Sequence, residues 1–100
     1  MVKHIILWNL KDEFSNEQKL EIMAQIKEGL EALKGKIDGL VEIKVQTEKL
    51  ETSTADLMLD STFESFDALK FYSTHPEHVK VADEKVRPFT AIRSCLDFEI

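Results

Sequence analysis

An α+β fold, an antiparallel sheet with helices on one face, is what this sequence predicts, and three observations carry the prediction. Apolar residues repeat with a period of two in some stretches and of three to four in others. The stretches follow one another in the order β-α-β-β-α-β. The first of them is apolar on both of its faces, which a sheet with one solvated side does not explain.

Val2 to Leu10 reads as the first strand. Its even positions are Val2, His4, Ile6, Trp8 and Leu10, and its odd positions include Ile5 and Leu7. Ser15 to Gln18 has capping-box spacing, so a helix is expected from about Asn16 to Lys34. Leu20, Met23, Ile26, Leu30 and Leu33 form its expected apolar stripe, and Gly35 and Gly39 end it and turn the chain. Leu40 to Val45 reads as a half-exposed strand with Val41, Ile43 and Val45 on its inner face. A polar loop, QTEKLETS, leads to a third strand from Thr54 to Phe63. There Ala55, Leu57, Leu59 and Ser61 share one face, and Asp56, Met58, Asp60 and Thr62 the other.

Glu64 to Ser73 is expected to be a short helix with Phe66, Leu69 and Tyr72 inside. His75 must leave the helical region because a proline follows it. Pro76 then opens a further helix, with Glu77 in its first turn and Val79, Ala82, Val86 and Phe89 as its stripe. Ile92 to Ile100 is the last strand. This order is the ferredoxin-like β-α-β-β-α-β arrangement, a four-stranded antiparallel sheet with helices on one face. The other face is bare in one chain. Ile5, Leu7 and Met58 lie on it, so a second copy packed sheet to sheet is expected, giving a homodimeric α+β barrel.

Composition narrows the function classes. The chain has 100 residues, enough for the single domain 1–100 expected here, with 43% hydrophobic and 32% charged residues. Its net charge of −6 repels phosphate backbones, so neither nucleic acid nor an anionic membrane surface is an expected partner. The apolar start is too short for a membrane span and carries no signal-type cleavage site. Cys95 is the single cysteine, which rules out an internal disulfide, and it reads as a small core residue. A cytoplasmic location is the simplest expectation.

The chemistry-bearing stretch is FYSTHPEHVKV at residues 71–81. Tyr72 and His78 can face one cavity if the two helices fold back over the sheet. Its expected walls are His4, Ile6 and Trp8 from the first strand, Ile22, Met23 and Ile26 from the first helix, and Leu59 and Ser61 from the third strand. Plain structural readings stand beside this one. Tyr72 can be a core residue with its hydroxyl at the rim, and His75 can simply cap a helix. The pair His75 and His78 has no further ligand at zinc spacing in the sequence, and only His4 could join it in space, so no metal is expected there, and no cofactor.

Four segments carry a family resemblance over essentially the whole chain: VKHIILWNLKDE, TFESFDALKFY, HPEHVKVADEKVRPF and LDFE. They are similar to the stress-responsive α/β-barrel (Dabb) domain family, within the dimeric α+β barrel superfamily. The resemblance implies a homodimer. It extends to plant polyketide cyclases of the family in the spacing of the tyrosine and histidine. It thereby implies His78 as general base, Tyr72 as the group that orients a substrate carbonyl, and His4 as a pocket residue. Two classes of function follow: a binding or stress-associated domain with a small apolar or aromatic ligand, and a cofactor-free cyclase-like or oxygenase-like enzyme.

Overall fold

The structure, a computed structural model, describes all 100 residues. Its elements are β1 (Val2–Leu10), α1 (Asn16–Glu31), β2 (Leu40–Gln46), β3 (Leu57–Phe63), α2 (Phe66–Thr74), α3 (Pro76–Val81), a π-helical segment (Ala82–Val86) and β4 (Thr90–Glu99). The strands form one antiparallel sheet in the order β2-β3-β1-β4, which is the ferredoxin-like topology. The helices lie against one face. The body is a slab of 38 × 27 × 18 Å, thin because the sheet's other face has no second layer.

Local chemistry sets most boundaries. Ser15 caps α1, its Oγ accepting from the Gln18 N–H at 3.2 Å while Gln18 Oε1 accepts from the Ser15 N–H at 2.8 Å. The α-helix ends at Glu31, three residues before the expected Lys34, because the next turns tighten. Leu33 and Lys34 donate to Leu30 and Glu31, three residues back. The buried stripe is Ile22, Ile26, Leu30 and Leu33, whereas Leu20 is exposed. Stepping back from Leu30 by four lands on Ile26 and Ile22, so the expected Leu20 falls off the inner face.

In β2 a register shift between Leu40 and Glu42 places Leu40, Ile43 and Val45 inside and turns Val41 out. Simple alternation had put Val41 on the inner face. A bulge adds one residue on one strand and reverses the phase before it. β3 begins at Leu57, later than the expected Thr54, and Asp56 ends the preceding loop. The Asp56 carboxylate accepts from the Leu10 N–H and from Lys49 Nζ, both at 2.8 Å.

Gly39 has φ +88°, and an added Cβ there would lie 2.5 Å from the Cβ of Ala68. Gly35 has φ +85° with nothing within 4 Å of that position. Gly39→Ala should therefore destabilise by about 2–3 kcal/mol, combining the left-handed penalty with a clash. Gly35→Ala should show only the backbone part, about 1 kcal/mol. Urea unfolding of both variants separates the two contributions; equal losses would remove the steric one.

The core joins the even face of β1 to the helices. Val2, Ile6, Trp8, Leu59, Phe63, Ile26, Leu30, Leu69 and Tyr72 are among its buried members. The odd face is different. Leu7, Ile92, Leu96 and Phe98 are exposed, and the β1–β4 register sets Ile92, Leu96 and Phe98 beside Asn9, Ile5 and Lys3. No helix is long and apolar enough to cross a membrane.

Candidate functional site

The site begins with the break between α2 and α3. His75 is extended (φ −64°, ψ 132°), as a residue before proline must be, and its Nδ1 accepts from the Glu77 N–H at 3.1 Å. Both features turn the chain so that α3 folds back beside α2. Tyr72, in the last turn of α2, and His78, in the first turns of α3, then stack with ring centroids 4.1 Å apart. The helix expected from Pro76, with its stripe running to Phe89, instead widens into the π turn, where the Arg87 N–H donates to the Ala82 carbonyl. Such turns accommodate an extra residue and often shape functional sites. Here Val86 and Arg87 come to the same cavity.

That cavity has a volume of about 200 Å³. Its walls are His4, Ile6 and Trp8 from β1, Leu30 from α1, Leu59 from β3, and Tyr72, Ser73, His78, Ala82 and Val86 from the broken helix. Arg87, Thr90 and Arg93 complete the lining. It is smaller than drug-sized sites of roughly 300–1,000 Å³, so it suits a single ring or a short chain.

Several expected wall residues are placed elsewhere. Ile22 and Ile26 are buried in the core and Met23 packs against it, so none lines the cavity. The part of α1 that reaches the cavity is one turn further on, at Leu30. Ser61 is fully buried, and its hydroxyl donates to the His4 carbonyl at 2.9 Å, which ties β3 to β1 instead of facing a ligand. His75 Nδ1 is occupied by its cap.

Electrostatics assigns different work to the two stacked rings. Tyr72 is 1% exposed, and its hydroxyl is the one buried side-chain polar atom with no hydrogen-bond partner. Burial pushes its pKa far up, so the phenol stays protonated and can only donate or accept a hydrogen bond. Burial holds His78 below the usual 6.5, and the positive charges of Arg87 and Arg93 act the same way. The Ser73 carbonyl opposes this by accepting from His78 Nδ1–H at 3.3 Å. A proton on Nδ1 leaves Nε2 as the basic nitrogen of a neutral imidazole.

The depressed pKa of His78 carries a stability consequence. As pH falls below 6.5, the unfolded chain binds a proton at this residue that the folded chain resists. The contribution is therefore present above 6.5 and is lost as pH falls through the lower folded-state value. Urea midpoints measured from pH 7 downward should fall, and His78→Gln should flatten part of that slope. An unchanged slope in the variant would assign the acid lability to other groups.

A second cluster adjoins the cavity through His4. The β1–β4 register sets His4 opposite Asp97 and Ile6 opposite Cys95. His4 Nδ1 is in direct contact with Asp97 Oδ1, and Cys95 Sγ lies 3.7 Å from His4 Nδ1 and 3.4 Å from Asp97 Oδ1. Cys95 is exposed, contrary to its reading as a small core residue, because β4 is an edge strand that no helix covers. Burial, and then the Asp97 carboxylate, push its thiol pKa up, so it is no activated nucleophile. The sequence does hold a trace of this cluster. Arg93, Cys95 and Asp97 alternate along one face of the last strand.

The fold and this placement of the pocket define a ferredoxin-like α+β domain with a small cavity between sheet and helices. More particularly, the chain belongs to the Stress responsive A/B Barrel Domain family, which it matches over residues 2–100. Among solved structures it is similar to a dimeric protein of unknown function with a ferredoxin-like fold from Bacteroides fragilis. The two are 38% identical over 99% of this chain and 95% of the other, with a TM-score of 0.91. A dimeric ferredoxin-like protein of unknown function from Thermobifida fusca shares 19% identity, over 99% and 90% of the chains, at TM-score 0.78. A hydroxynitrile lyase from Passiflora edulis shares 21%, over 99% and 92%, at TM-score 0.74. The last two likenesses concern the fold alone. No curated protein matches the chain.

Proposed function

We propose that the protein is a homodimer in which each protomer binds a small, mainly apolar or aromatic molecule bearing a carbonyl or phenolic oxygen. The observation that carries the ligand is the Tyr72 hydroxyl, buried with no partner on a residue that lines the cavity. A buried polar group left unpaired costs about 1–3 kcal/mol, and a ligand oxygen in the cavity relieves that cost. The apolar walls from Ile6, Trp8, Leu30 and Leu59 suit the rest of such a molecule. The dimer rests on the bare apolar sheet face and on the dimeric relative from Bacteroides fragilis. A cytoplasmic setting suits a chain whose single cysteine is free.

Thermal shift and calorimetry against small phenols and aromatic ketones test the ligand. Tyr72→Phe should leave stability unchanged or raise it by about 1 kcal/mol, because the unpaired hydroxyl is gone. The same change should weaken a bound oxygen ligand by about 2- to 13-fold, the equivalent of one hydrogen bond of roughly 0.5–1.5 kcal/mol. Ligands that bind equally well without the hydroxyl, or a screen with no binder at all, would remove this reading.

A second reading is turnover of the same ligand. The stacking of neutral His78 on Tyr72 favours it. A neutral imidazole can remove a proton next to a carbonyl, and a phenol can hold the oxygen on which charge develops. No residue in this scheme needs a cofactor.

A further inference from the structure

Beside the cavity, the cluster of His4, Cys95 and Asp97 has the make-up of a metal centre. We propose that these three side chains bind one zinc-type divalent cation per chain, with a fourth position open to water or a small ligand.

The donor set comes first. It offers an imidazole nitrogen, a sulfur and a carboxylate oxygen, and all three potential ligand atoms lie within 4.8 Å of one another. Sulfur and imidazole together suit zinc and its neighbours over magnesium or calcium, which prefer oxygen. A thiolate and a carboxylate also balance the charge of a divalent ion, and they offset the nearby positive Arg93.

The spacing agrees with this. Bonds of about 2.0–2.3 Å arranged tetrahedrally put neighbouring ligand atoms roughly 3.3–3.8 Å apart. The sulfur lies 3.7 Å from His4 Nδ1 and 3.4 Å from Asp97 Oδ1. The His4–Asp97 pair is in contact and must open slightly around an ion; the Asp97 side chain is 37% exposed and free to turn.

The framework favours a defined site. All three residues sit on paired strands in fixed register, not on loops, and His4 is buried. The ring is held from behind by T-shaped contacts with Phe63 and Tyr72, each with centroids 6.3 Å away. Three protein ligands with an open position is the pattern of zinc sites that exchange ligands, whereas structural sites use four. Because His4 also lines the cavity, the ion would sit at its rim.

Titration of the metal-stripped, full-length protein with Co²⁺, followed by displacement with Zn²⁺, tests the site. One Co²⁺ per chain should bind and show a thiolate-to-cobalt charge-transfer band. Cys95→Ser should abolish the band and weaken binding by more than about 100-fold, since even outer-shell changes cost roughly 10–100-fold. Asp97→Asn should weaken binding while retaining the band. Both residues are exposed, so both variants should fold, and circular dichroism verifies it. No binding, binding without the band, or an affinity unchanged by Cys95→Ser would show that the three residues form only a histidine–carboxylate contact beside a thiol. Loss of binding in His75→Ala would place the ion elsewhere and equally overturn the site.

Discussion

Leu7→Glu is expected to convert the protein from a dimer into a monomer or an unfolded chain. Leu7 sits at the centre of β1, on the face away from the helices, and is 41% exposed in the isolated protomer. Its neighbours across the sheet are Met58 on β3 and Ser94 on β4. Ile5 and Leu96 form the next row, and Ile92 and Phe98 flank them. Lys3 and Asp60 close one side with an ion pair at 2.8 Å. The result is an apolar centre with a polar margin, the usual composition of a protein interface.

Surface area points the same way. A compact monomer of 11.5 kDa would expose roughly 5,800 Å². This protomer exposes 6365 Å², an excess that a one-sided slab produces. Packing a second sheet on this face buries Leu7, and glutamate there would place an unpaired charge in an apolar layer. Such burial costs several kcal/mol, enough to dissociate an interface of ordinary size. Sedimentation equilibrium at micromolar concentration should give twice the chain mass for the natural protein and one chain mass for any folded Leu7→Glu. Leu20→Glu, at an exposed position of α1 on the helix side, should remain dimeric. A natural protein that sediments as a monomer would remove the barrel.

How far the sequence reaches depends on what each feature requires. The apolar odd face of β1 was legible because period-two alternation fails there in plain view: Ile5 and Leu7 on one face and Ile6 and Trp8 on the other cannot all be core in a one-sided sheet. The α2–α3 break was legible because proline restricts the residue before it, whatever the surroundings. The turn of α1 that reaches the cavity was not. Periodicity fixes which side of a helix faces the sheet, but the position of the cavity along the axis depends on how α1 crosses β1 and β3. That is why Leu30 stands where Ile22, Met23 and Ile26 were expected. Ser61 shares a face with Leu59, yet a hydrogen bond to the His4 carbonyl takes its hydroxyl out of play. The bulge at Leu40–Glu42 and the π turn at Ala82–Val86 leave no local signature either. Each adds one residue to a regular ladder, and only tertiary packing favours it. Cys95 fell in an apolar run, but the edge position of β4 exposes it and brings it beside Asp97, two residues on, and His4, 91 residues away in the sequence.

Replacing His78 with alanine is expected to lower turnover of an enolisable carbonyl substrate by about 10²–10⁴-fold, the usual contribution of a positioned general base. On the enzymatic reading of the cavity, protonation states decide which residue takes the proton. Tyr72 stays a phenol at any cellular pH, so it cannot take up the proton. Cys95 also holds its proton, and Arg87 and Arg93 carry no lone pair to offer. His78, kept neutral by burial, has a free nitrogen and stands against the Tyr72 ring. Its loss removes the bond to the Ser73 carbonyl but leaves the His75 cap of the helix junction in place, so the fold should stay intact. Tyr72→Phe removes an oxygen-holding hydrogen bond and should lower the rate less, by about tenfold or so if one neutral hydrogen bond is lost. A panel of linear poly-β-keto thioesters and small aromatic ketones, followed by mass spectrometry, supplies the assay. Unfolding measured alongside distinguishes the two classes of function. A His78→Ala protein that binds ligand, melts normally and loses turnover identifies the base. One that unfolds assigns the histidine to holding α3 against α2. A natural protein that binds ligands through Tyr72 but converts none of them is a binding domain, and its neutral His78 then serves to accept a hydrogen bond from what it binds.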